Sequence, residues 1–168
     1  MRCYHLRPTL ELTPEQIDAL KNAFGRKLTG WQRAWSSTRN VRQRNLYKGN
    51  DRKIGMSWYL CCESLLRALE TGQDFIYMAL SEDHARALVY ALAAFVNEHT
   101  GAQLKRTEII LSNGAKLRFV SMNRKTLAGF SGHVVIDEVL TLAQYVKIKE
   151  IAQTIASHRQ HTITTVWS

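Results

Sequence analysis

The chain has 168 residues, 45% apolar and 22% charged, which suits one globular domain with a real core and excludes wholesale disorder. No apolar run is long enough for a membrane span, MRCYHLRPTLEL lacks the apolar stretch of a secretory signal, and three cysteines, two of them adjacent, make neither a disulfide framework nor a C-x-x-C pair. A reducing, cytoplasmic setting is expected, and the formal charge of +9 points to a polyanionic partner.

Thr13-Pro14-Glu15-Gln16 reads as a helix start, with a threonine cap, proline in the first turn and glutamine at the capping-box position, and Gly25 is expected to stop that helix. From Arg26 to Lys53 the basic residues Arg26, Lys27, Arg33, Arg39, Arg42, Arg44, Lys48, Arg52 and Lys53 face a single acid, Asp51. Trp31, Trp35 and Tyr47 interleave with them. The segment reads either as a phosphate-contacting face with stacking aromatics or as a solvated basic surface whose aromatics pack inward. Residues 44–48 form a candidate short strand. A helix over about 56–69 ends at Thr71-Gly72, and Phe75-Ile76-Tyr77-Met78-Ala79-Leu80 has the look of a strand buried on both faces. Ser81 caps a helix over about 82–98. Two short strands flank Asn113-Gly114, the pair favoured in tight hairpins. Val134-Val135-Ile136 is a strand ending in Asp137-Glu138; a helix over about 142–156 and a strand over 162–166 follow. This order predicts an α/β fold, a mostly parallel sheet with helices on both faces and an inserted β-hairpin, with ligands bound beyond the carboxyl ends of the strands.

Two motifs fall at such ends. GNDRKIGMS (49–57) keeps the frame of a phosphate loop, a glycine-containing turn opening a helix that begins with a hydroxyl residue, but holds Met56 where the usual G-K-[ST] has lysine. Backbone amides there would cradle a phosphate, Arg52 or Lys53 would supply a cation from within the loop, and Ser57 would ligate Mg²⁺. The plain alternative is a basic turn before an amphipathic helix. Asp137-Glu138 fits the carboxylate pair of phosphoryl chemistry, one holding Mg²⁺ and the next polarising water; its plain alternative is negative charge favoured near a helix start. Cys61-Cys62 reads as core, His158-x-x-His161 as a surface pair, and Gly129 and Gly132 as a flexible loop facing DNA or a subunit.

The chain from about Trp31 onward resembles the ATPase domain of phage terminase large subunits, the motors that drive DNA into procapsids. Asn50 to Tyr59 resembles the family loop K-S-R-Q-I-G-A-T-[WF]-Y. Ala68 to Ser81 resembles A-x-x-T-G-x-N-Q-I-F-L-S-A-S, and Leu111 to Ala115 resembles L-P-N-G-A. Asn123 to Thr126, Gly132 and Ile136-Asp137-Glu138 resemble T-N-x-x-T … H-G-N-x-Y-F-D-E. The resemblance implies ATP and Mg²⁺ as cofactors and double-stranded DNA as partner, with a portal protein, a small terminase subunit or further copies of the chain beside it. It implies nucleotide contacts at Gln32, Asn50, Asp51, Arg52, Lys53, Gly55, Met56 and Ser57, with Gln32 reading adenine. It also implies metal contacts at Ser57 and Asp137, catalysis by Glu138 and Arg52, and a coupling role for Thr164-Thr165. Residues 1–30 are expected to be an N-terminal helical segment and 31–168 the ATPase-like domain, ending before the family's nuclease domain, so no DNA cleavage is expected. Asn50 replaces the family's loop lysine, which predicts impaired hydrolysis. The other readings are a non-catalytic terminase remnant that binds DNA or a packaging partner, and a recombination or helicase-like ATPase.

Overall fold

The computed structural model describes residues 10–47, 55–104, 107–122 and 129–167. In chain order the elements are α1 (Pro14–Lys27), α2 (Gly30–Ser36), β1 (Gln43–Tyr47), α3 (Met56–Thr71), β2 (Phe75–Ala79) and α4 (Glu82–Thr100). β3 (Glu108–Ile110), β4 (Lys116–Ser121), β5 (His133–Val139), α5 (Leu142–Ile155) and β6 (Ile163–Trp167) follow. The six strands form one sheet in the order β1-β6-β5-β2-β4-β3, parallel throughout except where β3 pairs antiparallel with β4. The expected mostly parallel α/β sheet with its hairpin is therefore present.

The sheet separates two cores by the period-two alternation of its strands. Phe75, Tyr77 and Ala79 of β2, with Val135 of β5, point to the larger core under α1, α2, α3 and α4. Ile76 and Met78, with Val134 and Ile136, point to a smaller one under α5. Both faces of β2 are covered, and all five of its residues are buried. Leu20 and Phe24 place α1 in the larger core with α3 and α4.

Helix starts follow local capping chemistry. Thr13, Thr29 and Thr141 each close a capping box with a glutamine three residues on, and Ser81 caps α4. The box at Thr29-x-x-Gln32 starts α2, a helix absent from the sequence reading although its signal is the one recognised at Thr13. Gly25 does not stop α1. A glycine ends a helix by taking positive φ, and Gly25 stays helical while Leu28 turns extended. Gly72 does take that conformation, at φ 70°, and closes α3. Asn113 of the hairpin turn donates to the carbonyls of Ala68 and Leu69, so the turn also satisfies the end of α3.

Two further expectations change. Arg44 is no surface cation: β1 turns it into the larger core, where its guanidinium donates to both Glu63 oxygens at 3.0 and 2.6 Å, to Trp35 O and to Thr164 Oγ1. Gly132 is held rather than loose. Its N–H donates to Ile155 O, and a Cβ there would stand 2.4 Å from Asp74 O. Cys61 and Cys62 are core residues, as expected, and Trp35 packs edge-on against Tyr59 rather than facing solvent.

Candidate functional site

At the carboxyl end of the sheet three chain segments converge on Asp137. Ahead of the bulge near its end, odd-numbered residues of β5 face the larger core, so Asp137 emerges beneath the first turn of α3 and is fully buried. Its Oδ2 accepts from Ser57 Oγ at 2.8 Å and from Tyr77 OH at 2.8 Å. His84, in the first turn of α4, brings Nε2 to 3.9 Å of the same oxygen, too far for a hydrogen bond, and that nitrogen has no hydrogen-bond partner among the described residues. Burial first, then the neighbouring Cys61 and Asp137, raises the Tyr77 pKa well above its ordinary value, so the phenol keeps its proton and donates.

Glu138 sits beside a bulge. The β5–β6 register shifts between Ile136 and Val139, and Glu138 has φ 64°, the one described non-glycine residue with positive φ. The kink breaks the alternation that would otherwise send the second carboxylate to the opposite core.

α3 begins at Gly55, itself left-handed at φ 68°, and among the described helices it alone lacks a side-chain cap bond. The first amides of a helix have no intrahelical acceptor, and they carry the positive end of its dipole. Met56 buries its side chain in the core, so its offer to an anion is its backbone N–H. Gln32 is also buried. Its Oε1 accepts from Thr29 N at 3.1 Å and its Nε2 donates to Gly55 O at 3.3 Å, which ties α2 to the turn that opens α3. Asn50, Asp51, Arg52 and Lys53 lie outside the described residues, as do Lys48, the 123–126 block and the side chain of Trp31. Thr164 faces the larger core and meets Arg44; Thr165 faces the opposite way, toward α5, and both are buried.

The donor set suits a small hard cation. A hydroxyl that gives its proton to Asp137 keeps its lone pairs for a metal, and the carboxylate is the second oxygen donor. Among the described residues no group of three or more His, Cys, Asp or Glu could cage an ion. Mg²⁺ needs no such cage, since it keeps several waters and takes substrate phosphate oxygens. Sequence reasoning placed Ser57 and Asp137 and missed Tyr77 and His84. Both lie in segments read only as strand and helix, and no residue spacing ties them to Asp137.

The fold is that of a large-terminase ATPase domain: the domain from Thermus phage P74-26 superposes with a TM-score of 0.67 at 16% identity, over 94% of this chain and 70% of that one. Residues 46–168 match the family described as "Terminase large subunit, T4likevirus-type, N-terminal", and the chain belongs to that family. It is 31% identical over 149 residues to the probable terminase ATPase subunit of Haemophilus phage HP1, covering 89% of this chain and 24% of that protein. It is 30% identical over 159 residues to the terminase ATPase subunit of Escherichia phage P2, covering 92% and 26%. The chain thus spans about a quarter of the length of these curated relatives.

Proposed function

We propose that this chain is the ATP-hydrolysing domain of a viral DNA-packaging motor, taking ATP with Mg²⁺ and coupling hydrolysis to movement of double-stranded DNA in the host-cell cytoplasm. A portal protein, a small terminase subunit and further copies of the chain are its expected partners. The observation that carries this reading is the 2.8 Å hydrogen bond from Ser57 to Asp137, which joins the end of the loop to the acidic strand across 80 residues.

The roles follow the family resemblance, and the hydrogen bond between Ser57 and Asp137 supports it. Asn50, Asp51, Arg52, Lys53 and the amides of Gly55, Met56 and Ser57 receive the phosphates, Arg52 reaches the γ-phosphate, and Gln32 steadies Gly55 beside the adenine. Ser57 and Asp137 hold the cation, which when bound neutralises charge on the phosphate oxygens. Glu138 orients the attacking water and takes its proton during in-line displacement, so catalysis rests on positioning. Thr164-Thr165 couples hydrolysis to movement.

Asn50 withholds a positive charge from the phosphates. A hydrogen bond to a charged group contributes about 1.5–3 kcal/mol, so the native chain binds nucleotide roughly one to two decades more weakly than a lysine variant. Thermal melts with ATP tested with and without Mg²⁺ check the reading, since a ligand at about 100 times its dissociation constant adds about 2.7 kcal/mol. Asn50→Lys is expected to deepen that stabilisation and raise turnover, and DNA to stimulate it. Glu138→Gln in the lysine background is expected to abolish turnover while ATP stays bound. Absence of any magnesium-dependent stabilisation, in both the native and Asn50→Lys chains, would instead favour a non-catalytic terminase remnant that binds DNA or a packaging partner.

A further inference from the structure

Asp137 has two hydroxyl donors on one oxygen, and only one of them belongs to the phosphate-binding turn. Ser57 stands at the second position of α3, in the turn proposed above to receive the phosphates. Tyr77 stands in the middle of β2, paired to β4 on one side and β5 on the other, fully buried and stacked on Phe119 at 5.3 Å. Its hydroxyl also lies 3.5 Å from Ser57 O, but the 2.8 Å contact with the carboxylate is the shorter and takes the proton. His84, at 3.9 Å, does not duplicate it.

We propose that the Tyr77 hydroxyl is a positioning residue of the metal site, holding the Asp137 carboxylate in its cation-accepting orientation while Ser57 turns its oxygen to the metal. The inference rests on the metal role proposed above for Ser57 and Asp137. A hold supplied through Ser57 depends on how that hydroxyl is turned. A donor from a central strand removes the dependence, because β2 is fixed by pairing and packing on both faces.

The test is Mn²⁺ titration followed by water-proton relaxation, with and without ADP, on the full chain and its Tyr77→Phe variant. Relaxation reads weak binding, and phenylalanine removes one oxygen while keeping the ring on Phe119. The expected result is about a tenfold weaker Mn²⁺ affinity in the ADP complex, the low end for losing a hydrogen bond to a charged group. ADP affinity without metal is expected to be unchanged, and 4-aminophenylalanine at position 77, which returns a donor, is expected to restore the metal. Ser57→Ala and Asp137→Asn separate the two claims. If both weaken Mn²⁺ binding and Tyr77→Phe does not, the Tyr77 inference is wrong while the metal site stands. If neither does, or the native chain binds no Mn²⁺ with ADP, the metal role fails and this inference with it. Equal losses of ADP affinity with and without metal would make Tyr77 a packing residue only, and so would failure of the Tyr77→Phe chain to fold if the amino variant is equally unfolded.

Discussion

Glu138 occupies left-handed backbone, at φ 64°, that a β-carbon disfavours by about 1–2 kcal/mol. Strain of this kind persists where the surroundings over-determine it, as they do in a bulged strand between β2 and β6. At an ordinary position alanine is more stabilising than glycine; here the sign reverses. Glu138→Gly is expected to be more stable than Glu138→Ala by about 1 kcal/mol in denaturant melts, with neither variant turning over ATP. His133 sets a pH dependence. Its Nδ1 accepts from Thr162 N at 2.9 Å and its Nε2 meets Gln73 Oε1 at 2.6 Å, the arrangement of a neutral ring. Burial first, then Arg67 and His161, lowers its pKa to about 3 from an ordinary 6.5. The unfolded chain takes up that proton below about 6.5 and the folded chain only near 3, so this part of the stability is full above pH 6.5 and lost as pH falls toward 3. A His133→Asn chain is expected to show a flatter melting temperature between about pH 6.5 and 5 in calorimetry.

Elements are tied together by the ion pair inside the larger core. Arg44 of β1 and Glu63 of α3 have side chains only 3% and 5% exposed, so solvent screens them little. Tyr59 OH donates to the same carboxylate and Thr164 of β6 accepts from the same guanidinium, joining the strand before the loop, the helix after it and β6. Removing one partner leaves the other charge buried without compensation. Glu63→Ala is expected to lower unfolding stability by about 3–5 kcal/mol. The double change Arg44→Met, Glu63→Leu is expected to recover most of that in the same urea titration, since an apolar pair of similar volume replaces a buried ion pair at little cost. Recovery of fold without recovery of turnover would assign the pair to coupling.

For the molecule as a whole, the charge of +9 resides on a surface that the folded chain sorts differently from the bare sequence. Arg33, Arg39 and Arg42 remain exposed, while Arg44 is withdrawn. Duplex DNA is expected to bind weakly, without sequence preference, and less at higher salt. Each neutralised phosphate contributes about −0.9 to the slope of log affinity against log salt. Replacing Arg33, Arg39 and Arg42 by glutamine is expected to lower that slope by up to about three in fluorescence anisotropy titrations, and changing Arg44 is expected to affect stability instead. An unchanged slope would place the DNA path on another face.

Local chemistry was legible wherever it acts within a few residues. The caps at Thr13 and Ser81, the left-handed stop at Gly72, the Asn113-Gly114 hairpin and the doubly buried run of β2 all follow from neighbours in the chain, and the alternation of elements led to the parallel sheet. The same rules marked Thr29-x-x-Gln32, where α2 passed unread among basic residues. Gly25 shows the limit, because a glycine permits positive φ and only the continuing packing of α1 decides whether it is used. Ser57 and Asp137 were readable as separate motifs; their shared hydrogen bond was not, since it spans 80 residues and depends on which face of β5 meets α3. Tertiary structure alone turned Arg44 from a surface cation into half of a buried pair, brought the Tyr77 hydroxyl to the Asp137 carboxylate and bent β5 at Glu138. Composition and periodicity determine which side chains are buried and in what order the elements come. Which polar groups meet at the strand ends is set by strand order and register, and those arise only when the whole sheet is assembled.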